Sequence, residues 1–472
     1  MKRSLPILLA LFPLFIGAQD ITGDWYGVLN AMGTELPMVL HINQHEDGSL
    51  NGTMDSPDQN VYGLEIDELS LDGQSFRFKM IDLQAEYQAT LSTLGLRGDF
   101  TQAGYDFPMS FTQTPITRSG LKARPQDPQS FPYQRETVSF PGGGEDVSLA
   151  GEFTWPSQGT PKAALILVSG SGGQDRNSEL GQGINHRPFL VLSDFLTRAG
   201  YAVLRYDDRG IAQSTGDHNL ATSADFALDA SAAAHYLRTR PELVDVKIGL
   251  AGHSEGGLIG PMVVAENQAA LDFLVLLAAP GLAGDSIILE QSRRIQQLMG
   301  APPVLVERNL SPLRKAYHYI RNHSEQNTEE LDAGLLEIFM ASIDDLPLPL
   351  QNSIDDREAF ASQQMGNLSN PWLRYFLSTD PAEFLQQVTI PVLALNGELD
   401  QQVVAEDNLT AIAAAVGSNG NTDITIVNLP GLNHLFQKAS TGAPAEYGTI
   451  EETFSPTAMR IITAWLDQLV NR

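Results

Sequence analysis

The chain of 472 residues contains no cysteine. That absence excludes structural disulfides, a thiol nucleophile, thiolate metal sites and a lipid-attachment cysteine, so stability rests on buried apolar surface. Cations are scarce as well: 29 Lys and Arg stand against 57 Asp and Glu, for a formal net charge of −28. Such a surface repels phosphate backbones and anionic bilayers, which argues against nucleic-acid binding. Long hydrophobic runs are also missing. The stretch Leu5 to Ile16 is shorter than the ~20 apolar residues of a spanning helix, and Pro6 and Pro13 interrupt it, so no stable membrane insertion is expected. No internal repeat stands out, and oligomeric state is not legible at this level.

What is present begins with a leader. Lys2 and Arg3 precede the short apolar run, and the small residues Gly17 and Ala18 follow it. This is the pattern of a secretory signal peptide over residues 1–18, with cleavage after Ala18 and export to the periplasm or the exterior. Losing its two cations takes the net charge from −28 to −30. The chain exceeds the ~250–300 residues at which single cores tend to split, so two domains are expected. Residues 19–114 read as a small all-β barrel or sandwich. Met38–Ile42, Ser75–Met80 and Met109–Phe111 have β-rich or alternating patterns, separated by turns such as Asp47-Gly48 and Asp72-Gly73. Residues 115–135, with Pro115, Pro125, Pro128 and Pro132, read as a linker.

From residue 136 the pattern changes. A hairpin of Thr137–Phe140 and Leu149–Trp155 leads into apolar runs at Ala163–Val168, Ala202–Arg205, Ile248–Ala251, Phe273–Ala278, Val392–Leu395 and Ile424–Val427. Such runs suit strands buried on both faces of a mostly parallel sheet. Helical segments at Phe189–Ala199, Asp225–Arg238 and Leu258–Asn267 separate several of them, which indicates a doubly wound α/β sheet over 136–472. Between about 285 and 385 the strand pattern gives way to helical, charged sequence, an insertion placed to cap the carboxyl edge of the sheet.

Three positions carry the chemistry. Gly252-His253-Ser254-Glu255-Gly256 follows a strand and opens a helix, the context in which G-x-S-x-G holds a serine hydroxyl above a sheet. A serine nucleophile needs a general base, and His434 lies in a loop after the last expected strand. An acid must orient that imidazole. Asp400 follows the strand Val392–Leu395, with Glu398 in reserve. The small-residue loop Ser169-Gly170-Ser171-Gly172-Gly173 can bring backbone N–H groups to an oxyanion. Ser171 and Gly172 are the candidates, and the amide of Glu255 is their partner. A phosphate-binding loop is the competing reading of this segment, but no G-K-[ST] follows. His186, His253 and Arg209 are candidate pocket residues. For Arg209 the competing reading is a salt-bridged turn, and for His253 packing behind the site.

These segments, with Gln174-Asp175-Arg176-Asn177, Arg205-Tyr206-Asp207-Asp208-Arg209-Gly210, Asn396-Gly397-Glu398-Leu399-Asp400 and Asn433-His434, resemble the exported bacterial α/β-hydrolases, a family of esterases and peptidase-like enzymes. Pro371–Phe376 is similar to the family's cap segment. The resemblance covers about 135–472. It implies an α/β-hydrolase fold, a Ser254–Asp400–His434 triad, no cofactor and no metal, and a small-molecule ester or peptide substrate. Ester hydrolysis is the expected activity. A peptidase on the same triad, or a binding protein with an ancillary hydrolase domain, are the alternatives.

Overall fold

A computed structural model of the chain describes residues 21–114 and 124–472, apart from short segments at 32–33, 46–47, 57–60, 82, 84, 93–94, 103–104, 181–183 and 268–270. The expected leader and the first part of the expected linker, 115–123, lie outside the described residues. The chain divides into two compact units, Met1–Leu121 and Lys122–Arg472. Among the described residues no helix is long and apolar enough to cross a membrane.

The first unit is a single antiparallel sheet of nine strands: β1 (Gly23–Ala31), β2 (Thr34–Gln44), β3 (Leu50–Ser56), β4 (Val61–Glu65), β5 (Glu68–Asp72), β6 (Ser75–Met80), β7 (Ala85–Ser92), β8 (Gly95–Gln102) and β9 (Tyr105–Thr112). Strand β9 returns to pair with β1, giving the order β4-β3-β2-β1-β9-β8-β7-β6-β5. The sheet curls until its edges approach. Ile66 N–H donates to Gly52 O (3.2 Å), and a Cβ on Gly52 would lie 3.3 Å from Leu69 of β5. Alternation builds the core: in β6, Phe76, Phe78 and Met80 are buried while Ser75 and Arg77 are exposed. Phe76, Phe78 and Phe111 pack on the ring of Tyr87. Tyr87 donates to Met109 O (3.1 Å) and Trp25 Nε1–H to Ile21 O (2.8 Å), so these large rings are buried with their polar atoms satisfied.

The second unit holds an eight-stranded sheet: β10 (Gln134–Pro141), β11 (Ser148–Trp155), β12 (Ala164–Val168), β13 (Ala202–Tyr206), β14 (Ile248–His253), β15 (Phe273–Leu277), β16 (Val392–Gly397) and β17 (Ile424–Leu429). Its order is β10-β11-β13-β12-β14-β15-β16-β17, and only β11 runs against the rest. Ten helices of eight residues or more accompany it among the described residues. They are α1 (Pro188–Arg198), α2 (Ser223–Arg238), α3 (Glu255–Glu266), α4 (Gly284–Leu298), α5 (Pro303–Asn322), α6 (Thr328–Asp344), α7 (Arg357–Met365), α8 (Pro371–Ser378), α9 (Ala405–Gly417) and α10 (Pro456–Val470). Every residue of β12, β13 and β15 is buried, because helices cover both faces. Ile166, Leu204, Leu250 and Leu274 face α2, α3 and α9. Their neighbours Leu165, Val203 and Val275 face α1 and α10.

Two expectations need correction. Ile424–Val427 was expected to be buried on both faces, yet β17 is the edge strand and Ile426 is 38% exposed. The second half of the 115–135 linker is docked on the second unit. Arg124 donates to the carbonyls of Asn185 (3.2 Å), Gly448 (2.9 Å) and Ile450 (3.1 Å), Gln126 pairs with Phe454, and Tyr133 donates to Asp194 (2.8 Å). Polar side chains make these hydrogen bonds, so a reading by hydrophobic pattern passes over them.

Helices α4 to α8 fill the insertion between β15 and β16. They carry their own core, in which Tyr317, Ile320, Leu331, Leu335 and Phe339 are buried. The chain order of the sheet reverses at β12, which has β13 on one side and β14 on the other. The loop after β12 and the turn after β14 therefore sit side by side at the carboxyl edge, where ligands enter sheets of this kind.

Candidate active site

Ser254 sits between β14 and α3 with φ 55° and ψ −120°. A non-glycine residue rarely occupies this region, and the surrounding backbone must over-determine it. Two glycines make that possible. A Cβ on Gly252 would lie 1.9 Å from Gly256 O, and one on Gly256 would lie 2.2 Å from Val168 O. The turn is closed by Ser254 N–H to Leu277 O and Gly257 N–H to Ser254 O, both 2.8 Å.

Asp400 and His434 face each other across the carboxyl ends of β16 and β17. His434 Nδ1 is 2.7 Å from Asp400 Oδ2, and both residues are buried. The other carboxylate oxygen, Oδ1, accepts from the backbone N–H groups of Gln402 (2.8 Å) and Val403 (2.9 Å), which fixes the acid's orientation. The loop carrying His434 is rigid for a local reason. Asn433 Oδ1 accepts from Leu435 N–H (3.1 Å) and Gln437 N–H (2.9 Å), and its amide donates to Gln437 Oε1. Glu398, the reserve acid, is exposed and instead accepts from Gly431 N–H (3.1 Å) at the base of the same loop.

His253 ties the serine turn to the histidine loop. Its Nε2–H donates to His434 O (2.9 Å), and the two rings lie 4.7 Å apart. Burial, with the neighbouring His434 second, pushes His253 down to about 3. It therefore stays neutral and adds no positive charge beside His434. His186 is not at this site. It is fully buried, with Nδ1 against Thr453 Oγ1 (2.8 Å) and Nε2 against the carbonyls of Tyr447 and Ile450 (both 3.0 Å). Arg209 is also spent elsewhere. Its Nε pairs with Asp229 (2.7 Å) and its guanidinium holds the Asp225 carbonyl, so it braces α2 and does not line the cavity at Ser254.

A cavity of about 70 Å³ opens at Ser254, bordered by Ser171, Glu255, Ile287, Trp372, Phe376 and Gln402, among others. Of the candidate oxyanion donors, Ser171 and Glu255 border it, whereas Gly172 borders a smaller void behind the loop. Asp208 shapes that loop. It accepts from Ser169 Oγ–H (3.0 Å) and Gln174 N–H (2.9 Å), while its own N–H returns to Gln174 O (3.1 Å). Burial pushes its carboxyl up to about 8 against those hydrogen bonds. Asp207 anchors the next turn through Arg176 Nε (2.9 Å) and Nη2 (2.5 Å).

Sequence reasoning missed the link between cap and turn. Glu255 Oε1 accepts from Trp372 Nε1–H of α8 (2.8 Å) and from Ser223 Oγ–H of α2 (2.5 Å). Burial raises the Glu255 carboxyl above its ordinary value, opposed by these two donors. Only the presence of Trp372 in the cap-like segment hinted at the contact.

An eight-stranded sheet with one reversed strand, a serine turn after its fifth strand and a helical insertion after its sixth decides the architecture. The second unit has the α/β-hydrolase fold. Residues 186–331, which span the serine turn and much of the cap, match a hydrolase family described as serine aminopeptidase, S33. The chain is 25% identical over 322 residues to the esterase EstD of Thermotoga maritima, a match covering 68% of this chain and 64% of the esterase. Among solved structures it is similar to a thermophilic esterase from Thermogutta terrifontis, bound to malate (17% identity, 71% of this chain and 98% of that one, TM-score 0.39). It is also similar to a proline iminopeptidase from Mycobacterium smegmatis (16% identity, 71% and 99%, TM-score 0.42). The family match and the curated relative support a hydrolase.

Proposed function

We propose that this α/β-hydrolase cleaves carboxylic esters through an acyl-enzyme on Ser254. The observation that carries the reading is the buried Asp400–His434 pair, tied through His253 to the strained turn that presents Ser254. His434 Nδ1–H donates to Asp400, which leaves Nε2 free to take the Ser254 proton as Oγ attacks the acyl carbon. The tetrahedral oxyanion is held by the Glu255 and Ser171 amides. One such donor contributes about 10²–10³ in kcat. Collapse expels the alcohol, which takes the proton from His434, and water then releases the acid by the same steps in reverse. Residues 1–18 have the pattern of a leader, so the reading includes export. Its test is hydrolysis of a short acyl ester by wild type and Ser254→Ala. Turnover unchanged in the variant would end the proposal.

A second reading is favoured by Glu255. Its buried carboxylate borders the cavity at Ser254, and both of its partners are neutral groups. Such a carboxylate attracts a cation, and the free amino group of an aminoacyl substrate supplies one. The S33 description of the matching family points the same way. Comparing aminoacyl amides with simple acyl esters separates the two: the first reading expects esters to dominate kcat/KM, the second expects amides bearing a free amine.

A further inference from the structure

A cavity larger than the one at Ser254 lies elsewhere in the second unit. It is a pocket of about 630 Å³ inside the cap, against about 70 Å³ at the serine. The two share no lining residue, although α4 contributes to both, Gln291 to one and Gln296 to the other. Those positions are roughly 7.5 Å apart along the helix axis, from a rise of 1.5 Å per residue. A volume of this size falls in the range of about 300–1,000 Å³ typical of small-molecule sites.

The lining has two parts. Leu313, Phe339, Leu346, Ile354 and Phe360 form an apolar floor. Polar side chains surround it, but most are already engaged. Asn309 donates to Gln296 (2.8 Å), Ser342 to Phe339 O (2.6 Å), Ser353 to Leu350 O (2.8 Å), and Asp345 pairs with Lys315 at 3.6 Å. Of the two charged residues in the lining, Arg308 is the exception. The other arginines of the cap have partners: Arg293 and Arg294 with Glu290, Arg314 with Glu307, Arg321 with Asp285, Arg357 with Asp344, and Arg374 with two carbonyls. Half-buried Arg308 has none among the described residues, in a chain with 57 acidic residues to 29 basic ones. One turn on, Pro312 interrupts α5. Its ring supplies no N–H to the Arg308 carbonyl, so the helix wall is loosened where it borders the pocket.

We propose that the cap pocket is a binding site, separate from the serine centre, for an amphiphile with one anionic head: the apolar body lies on the Leu313–Phe339–Phe360 floor and a carboxylate pairs with Arg308. Bidentate pairing to a planar carboxylate is what a free guanidinium offers. The proposal is independent of which bond Ser254 cleaves.

The test is calorimetric titration of the full-length protein with decanoate, repeated with decanol and with two variants. Arg308→Glu reverses the head-group contact, and Leu313→Trp fills the floor. Decanoate is expected to bind one site, decanol more weakly, and Arg308→Glu to weaken decanoate by about tenfold or more, as loss of a charge-assisted pair does. Turnover of a short ester should be unchanged in Arg308→Glu, which keeps the test valid should Leu313→Trp misfold. Equal binding by wild type and Arg308→Glu would overturn the proposal. So would absence of binding, or purely competitive inhibition at Ser254 with a constant equal to the binding constant.

Discussion

Replacing Asp400 by Asn changes one atom and should remove nearly all of the proposed activity. Asp400 Oδ1 sits where the Gln402 and Val403 N–H groups converge, at 2.8 and 2.9 Å. An asparagine must place its carbonyl oxygen there, because its NH₂ would face two donors. The NH₂ then points at His434 Nδ1, the position Oδ2 holds at 2.7 Å. Nδ1 must become an acceptor, so the imidazole proton moves to Nε2, the atom that has to accept the Ser254 proton. In a Ser-His-Asp hydrolase the equivalent replacement lowers kcat by about 10⁴, roughly 5.4 kcal/mol of barrier. The same order is expected here, with KM and thermal stability little changed because every hydrogen bond keeps a partner. Steady-state hydrolysis of a short chromogenic ester, with circular dichroism as the folding control, measures it. Glu398→Gln is the comparison, since Glu398 is exposed and accepts from the Gly431 amide, away from the Asp400–His434 pair. A folded Asp400→Asn protein within about tenfold of wild-type kcat would refute the tautomer argument.

Asp208 makes stability depend on pH. Its folded carboxyl is raised to about 8, above the ordinary unfolded value. The folded state therefore holds the proton more tightly, and this contribution is present at acid pH and lost as pH rises toward 8. Asp208→Asn mimics the protonated acid, so wild type should lose stability relative to it by up to ~1.4 kcal/mol per pH unit between pH 5 and 7. Parallel urea-denaturation series for the two proteins would contradict this. Gly256→Ala drives a Cβ to within 2.2 Å of the Val168 carbonyl, a backbone atom that cannot swing aside. It should cost about 1–3 kcal/mol and reduce the proposed ester turnover, because α3 and the loop after β12 are pushed apart. Unchanged melting and turnover would mean that the turn relaxes freely.

Much of the second unit was legible because its signals are local. Doubly buried strands read as unbroken apolar runs, and the serine turn needs glycines at fixed offsets whose absence of Cβ is visible in the residues themselves. Asp400 and His434 follow strand ends, so chain order alone brought them forward, and the structure pairs them. What failed was long-range and polar. His186 looked like a pocket residue because it lies in a loop after a strand, but Thr453, 267 positions away, takes its Nδ1. For Arg209 the sequence offers both a pocket residue and a salt-bridged turn, and α2 decides for the ion pair by bringing Asp229 within reach. The Glu255–Trp372 contact joins segments 117 positions apart through side-chain atoms only, and no periodicity encodes such a pair. The edge position of β17 depends on which strand has no outer neighbour, a property of the assembled sheet.

Trapping the acyl-enzyme tests the central claim most directly. The protein is mixed with a slowly turned-over acyl ester, quenched in acid, digested and mapped by mass spectrometry. The account predicts a single acyl adduct on Ser254, absent from Ser254→Ala and formed far more slowly in Asp400→Asn. An adduct on any other residue, or ester hydrolysis that persists in Ser254→Ala, would contradict it.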